Sequence, residues 1–232
     1  MRFALVLSAG LYVSALVAVA QQPAQPGGTP SPARFDMEIR ADFFAGIGGD
    51  EVRFKRAMAR CEELLAQDAN HAEALVWHGS GVLSMAGMAF QQGDYQKGGE
   101  LWGKGLGEMA RAVSLAPDHV GVRIPRGATL FEATRQMRDV KQAAALLQLG
   151  IEDFEHTLSL QQTTFARLSD HARGELLFGL ADAYARLGDK EKAASYFTRL
   201  TSDAPTSGRI AYAKAWLDGA PPKDVGRCVG CH

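Results

Sequence analysis

Two cysteines and a histidine stand together in the run Cys228-Val229-Gly230-Cys231-His232, and their types and spacing allow only a few kinds of chemistry. Thiols three positions apart can each add across a vinyl group of one porphyrin, which leaves the adjoining imidazole beside the iron. The same three groups could bind zinc, but a structural zinc ion takes four ligands and no fourth stands nearby in the sequence. A C-x-x-C pair can also cycle as a redox disulfide. That role normally sits at a helix N-terminus on a βαβ scaffold, which this sequence does not offer. An unmodified tail is the remaining alternative.

The run resembles the haem-attachment site of c-type cytochromes. On that resemblance Cys228 and Cys231 would carry the thioether links of one covalent haem c, and His232 would be the proximal iron ligand. In that family, attachment takes place on the outer side of the bacterial cytoplasmic membrane. The other end of the chain is consistent with export. Met1-Arg2 precedes an apolar stretch over residues 3–20 that closes in Ala18-Val19-Ala20, a small-residue cleavage pattern. Ser8, Gly10 and Ser14 favour a cleaved signal over an uncleaved membrane anchor of nearly spanning length. No cysteine lies near the cleavage point to take a lipid, so a periplasmic protein free of the membrane after cleavage is expected.

An ordinary cytochrome c domain continues beyond the motif, wraps the porphyrin and supplies a distal Met, whereas this sequence stops at His232. The preceding DGAPPKDVGR has almost no apolar surface. The haem is therefore expected to be exposed and of low potential, its sixth position held by water, a partner's side chain or a ligand from the helical domain.

The elements that must position this chemistry are helical. Residues 21–34, QQPAQPGGTPSPAR, are rich in Pro, Gln and Gly without a periodic apolar face, and residues 21–49 read as a largely flexible leader. From about Asp50 onward Ala, Leu, Glu, Lys and Arg abound and strands are hard to place. Residues 174–205 place Leu177, Leu180-Ala181 and Tyr184 on one helix, Gly188 at a turn, then Ala193, Phe197 and Leu200 on a second helix closed by Pro205. Small Ala181 and Ala193 let the two helices approach, and Gly188-Asp189 permits the tight turn. This unit resembles a tetratricopeptide repeat (TPR).

Residues 73–117 look like the same unit, with Gly79 at the small position, Gly93-Asp94-Tyr95 at the turn and Pro117 at the end. The turn comes seven residues late and the closing Pro a further seven, so both arms are predicted to be about two turns longer than standard. Ala57, Cys61 and Leu64 match the second helix of a preceding, incomplete unit. In the middle segment a helix is expected to start near Ile124 with Pro125 in its first turn, paired with a helix over residues 140–158. A short helix over 208–217 would cap the array. The predicted fold is all-α: a TPR-like α-solenoid of antiparallel helix hairpins over residues 50–217, behind a signal peptide of residues 1–20 and followed by a flexible tail of residues 218–232.

Solenoids of this kind hold a protein or peptide in a groove lined by the first helix of each pair. By position the groove candidates are Glu73, Val76, Ser80, Leu83, Glu175, Phe178, Asp182 and Arg186, with a solvated helix face as the plain alternative. His78 and Met85, seven residues apart on one face, are distal-ligand candidates, though such residues are more often core. Arg123 and Arg126 flank the start of the Pro125 helix, where an anion would be favoured. Cys61 falls in an apolar series and reads as a buried thiol. With 25 Lys and Arg against 26 Asp and Glu and no basic run, the electrostatic footprint of a nucleic-acid binder is missing and no nucleic-acid partner is expected. No nucleophile elbow, phosphate loop or zinc-protease motif occurs, so an enzymatic role would rest on haem alone, as a peroxidase-like or ligand-sensing site. Two functions remain open: an exported interaction scaffold carrying haem c for electron transfer, and a pure periplasmic scaffold whose motif is never loaded.

Overall fold

The structure, a computed structural model, describes residues 34–220. The predicted signal, the leader up to residue 33 and the haem motif lie outside the described residues. Among the described residues there are nine α-helices, two short 3-10 turns and no strand. The helices are α1 (Phe35–Ile47), α2 (Glu51–Gln67), α3 (Ala72–Gln91), α4 (Tyr95–Leu115), α5 (Val120–Ala133), α6 (Val140–Leu160), α7 (Asp170–Leu187), α8 (Lys190–Asp203) and α9 (Ile210–Leu217).

Consecutive helices pair as α1/α2, α3/α4, α5/α6 and α7/α8, and the first helices α1, α3, α5 and α7 touch in succession. This is the predicted TPR-like solenoid of antiparallel hairpins. Local chemistry sets the boundaries. Asp50, Asp94, Asp139, Ser169 and Asp189 cap α2, α4, α6, α7 and α8, each side chain accepting a hydrogen bond from a free backbone N–H of the first turn. Gly93 and Gly188 take φ of +83° and +85° at the hairpin turns, a conformation that costs glycine nothing. The long hairpin has matched arms of 20 and 21 residues. In the last unit Leu177, Leu180, Ala181, Ala193, Phe197 and Leu200 are fully buried, and Tyr184 nearly so. α9 caps it as expected: Tyr212 lies edge-on to Phe178 with centroids 5.2 Å apart, and Trp216 packs 4.8 Å from Phe197.

Two expectations are corrected. Residues 35–47, assigned to the flexible leader, form α1, so the first unit is a complete hairpin. Phe35, Ile39 and Phe43 recur every fourth residue and bury one face of α1, Phe43 lying edge-on to Trp77 of α3 at 5.0 Å. The Pro/Gly-rich composition ends at Arg34, and the glycines that follow Ile47 terminate the helix rather than belonging to a linker. α5 starts at Val120, not near Ile124, and holds Pro125 inside it. The ring removes one backbone hydrogen bond near the helix start, while burial of Val122 and Ile124 draws the preceding turn into the core and favours its helical form.

Candidate functional site

One recess among the described residues follows from unequal helix lengths. α3 and α5 lie side by side, with Thr129 Oγ1 donating to Ser80 Oγ at 2.9 Å. From that contact α3 runs on for eleven residues to Gln91 and α5 for only four to Ala133, an overhang of seven residues, or about 10 Å of helix. The α3/α4 hairpin thus projects past α5, and the space left beside it is a cavity of about 860 Å³.

Its floor is apolar: Phe43 and Ile47 of α1, Leu83, Gly87 and Phe90 of α3, and Gly99 and Trp102 of α4. A Cβ added at Gly87 or at exposed Gly99 would meet nothing within 4 Å. The Phe90 ring stands 6.4 Å from both Tyr95 and Trp102. The lining is also polar: Ser80, Ser84, Gln91, Thr129 and Glu132 contribute to it, as do Arg135, Arg138, Asp139 and Gln142, with Met137 among them in the α5–α6 connection. Arg135 donates to Asp182 at 2.8 Å and to Glu132 at 2.7 Å. Burial works against its charge, but the two carboxylates outweigh burial and hold its pKa above the ordinary value. Arg138 is exposed and forms no ion pair with any described residue.

The predicted groove residues divide. Ser80 and Leu83 line the cavity. Val76 is fully buried in the core, and Phe178 lies under Tyr212 of α9. Glu73 packs against the start of α5, where a Cβ on Gly121 would come within 2.7 Å of its Oε1. Glu175 accepts two hydrogen bonds from Arg209, at 2.8 and 3.0 Å. Asp182 is engaged by Arg135, and Arg186 donates to the Phe131 carbonyl at 2.9 Å and to Thr134 Oγ1 at 2.7 Å. The α7 half of the predicted groove is therefore closed by the capping helix and by ion pairs. Helical periodicity marks a face but not what covers it.

His78 is not available as a distal ligand. Its Nδ1 lies 2.6 Å from Glu108 Oε2 and its Nε2 3.7 Å from Glu62 Oε1, so both ring nitrogens face carboxylates on α4 and α2. Met85 is half-buried and does not line the cavity. Arg123 and Arg126 form no open anion site: both clasp Asp153, which is fully buried, at 2.9 Å and at 2.6 and 2.8 Å. Burial pushes the free Cys61 thiol up to about 12, leaving it inert. Sequence reasoning missed Met137. It sits in a short non-periodic connection, and only its place between Arg135 and Arg138 could have drawn attention to it.

Cys228, Cys231 and His232 lie outside the described residues. Among the described residues no group of three or more His, Cys, Asp or Glu could hold a metal ion, and no helix is long and apolar enough to cross a membrane. The cavity's lining sets the carboxylates of Glu132 and Asp139 beside the guanidiniums of Arg135 and Arg138. The chain matches no family model and no curated protein sequence.

Proposed function

We propose that this protein is an exported TPR-type scaffold that carries one covalent haem c and exchanges electrons with a protein partner. The observation that carries the reading is the Cys228-Val229-Gly230-Cys231-His232 run in a chain that opens with a secretory signal pattern. Cys228 and Cys231 would hold the porphyrin edge, and His232 would ligate the iron. Bound there, haem supplies a one-electron couple.

The helical domain supports this reading by giving the motif a rigid platform. Its two hydrophobic clusters, one spanning α1–α6 and one spanning α5–α9, are built from the described residues. The second reading is a scaffold that works unloaded. One preparation separates the two. Full-length protein produced in a periplasm equipped for c-type maturation should be red and show a c-type α band on reduction, and Cys228→Ala combined with Cys231→Ala should abolish the band. Colourless protein under conditions that mature a control cytochrome would refute the haem reading and leave the scaffold.

A further inference from the structure

We propose that a second recess, between α6 and α8, binds a free α-amino acid with an apolar side chain, Glu155 taking its ammonium group and Arg199 its carboxylate. The proposal concerns the helical domain alone and holds whether or not the motif carries haem.

The recess measures about 420 Å³, within the range of small-molecule sites, which join apolar walls to a few placed polar groups. Leu158 of α6, Phe165 of the 3-10 turn Phe165–Arg167 and Tyr196 of α8 supply the apolar surface. Ser159 and Gln162 add neutral hydrogen-bonding groups, and Glu155 and Arg199 are the two charged residues of the lining. They come from different helices, and the ion pair that Arg199 makes is with Asp203, not with Glu155.

The Glu155 carboxylate is fixed but not neutralised. Its Oε1 accepts from the Tyr184 hydroxyl at 2.6 Å and from the Tyr196 hydroxyl at 3.2 Å. The two rings stack nearly parallel, 5.8 Å apart. Lys192 donates to the Tyr184 oxygen at 3.1 Å and lies 4.5 Å over that ring, so this hydroxyl sends its own proton to Glu155. Burial, with Glu155 beside it, pushes the Tyr196 hydroxyl up to about 12, and the same causes raise that of Tyr184; both phenols stay donors. Two donated bonds favour the ionised carboxylate. It is half-buried and forms no ion pair with any described residue.

Arg199 is loosely held. Its guanidinium stands 5.7 Å from the Phe165 ring and 6.0 Å from that of Tyr196, the outer limit of a cation–π contact. Its Nε reaches Asp203 at 3.4 Å with the side chain 44% exposed, a pair of little strength. The terminal nitrogens keep the planar fork that suits a carboxylate. A simple cation or anion would answer one of these two groups and be repelled by the other. An α-amino acid carries both charges on one carbon, and its side chain would lie on Leu158, Phe165 and Tyr196.

Isothermal titration calorimetry of the full-length protein tests this with leucine, beside isoamylamine, which lacks the carboxylate, and isocaproate, which lacks the ammonium group. Leucine should bind saturably at one site, and each half-analogue at least about tenfold more weakly, the worth of one hydrogen bond to a charged group. Glu155→Gln keeps an oxygen acceptor for the two tyrosines; it should weaken leucine to the level of isocaproate and leave isocaproate unmoved. Arg199→Gln should weaken leucine to the level of isoamylamine, and thermal melts of both variants check that they stay folded. No saturable heat with leucine, methionine or phenylalanine in the wild type would overturn the proposal. A half-analogue that binds as tightly as leucine would overturn recognition by two charges, and leucine binding unchanged in both folded variants would overturn the site.

Discussion

Asp153 is a fully buried carboxylate held by two arginines. Its side chain is wholly buried, and it accepts hydrogen bonds from Arg123 and Arg126, which flank Pro125 on α5. Burial pushes its carboxyl above the ordinary value against the pull of both guanidiniums, yet removing it would leave two largely buried cations facing each other. Breaking a buried pair from one side costs about 3–5 kcal/mol, and Asp153→Ala should lower stability by that amount in urea titration. A loss under about 1 kcal/mol would mean that water reaches the pair and screens it. Asp170 behaves oppositely. Hydrogen bonds from the Thr206 hydroxyl and backbone N–H, with help from Arg173, hold its carboxyl down to about 2 against an ordinary 3.8. A carboxylate depressed in the folded state contributes stability that is present above its unfolded value and lost as pH falls through its folded one. Asp170→Asn should therefore melt below wild type near neutral pH, and thermal scans should show the gap closing as pH falls from about 4 to about 2. A gap that stays constant across that window would contradict the assignment.

At the scale of elements, glycine has two opposite meanings on one hairpin. A Cβ on Gly79 of α3 would meet the Gly105 carbonyl oxygen at 2.8 Å, and one on Gly105 would meet that of Gly79 at 2.7 Å, so these two positions set how closely α3 and α4 approach. Neither contact is with a side chain that could swing aside. Gly79→Ala should cost about 1–3 kcal/mol through forced separation of the helices. Gly107, on the same α4, has nothing within 4 Å of its Cβ position, and Gly107→Ala should stabilise by about 0.5–1 kcal/mol through helix propensity alone. Denaturant midpoints of the two variants must move in opposite directions, and a shared direction would refute the packing argument. This hairpin was also legible in the sequence. Gly93 and the late Pro117 marked a turn and an end, and equal arms are the only way to lengthen an antiparallel pair. α1 was illegible because its apolar face is short and adjoins a Pro/Gly-rich stretch. The start of α5 was illegible because a rule for proline outweighed the apolar residues before it, and the buried Asp153 that grips both flanking arginines is 27 residues from Arg126.

At the scale of the whole molecule, the site arises from a mismatch between units. Four hairpins of equal length would leave a shallow continuous groove, whereas a long α3/α4 pair beside a short α5 leaves a recess with rings on its floor and arginines at its mouth. The sequence showed the extension, and with it the overhang of about 10 Å. It did not show that the recess would gather Phe43, Phe90, Trp102 and Met137, because those residues come from four separate segments that only the stacking brings together. It also could not show that α9 would close the α7 face, where four of the eight expected groove residues lie. The proposed function adds a redox group carried by the Cys228-Val229-Gly230-Cys231-His232 run of the same chain. Attachment of that group is the claim on which the rest depends, and the mass of the intact protein tests it most directly. Denatured full-length protein, exported and matured alongside a control cytochrome, should be heavier than its processed polypeptide by the mass of one haem, and the Cys228→Ala, Cys231→Ala double variant should carry none. A wild-type mass equal to that of the bare polypeptide, obtained while the control is fully loaded, would contradict the account.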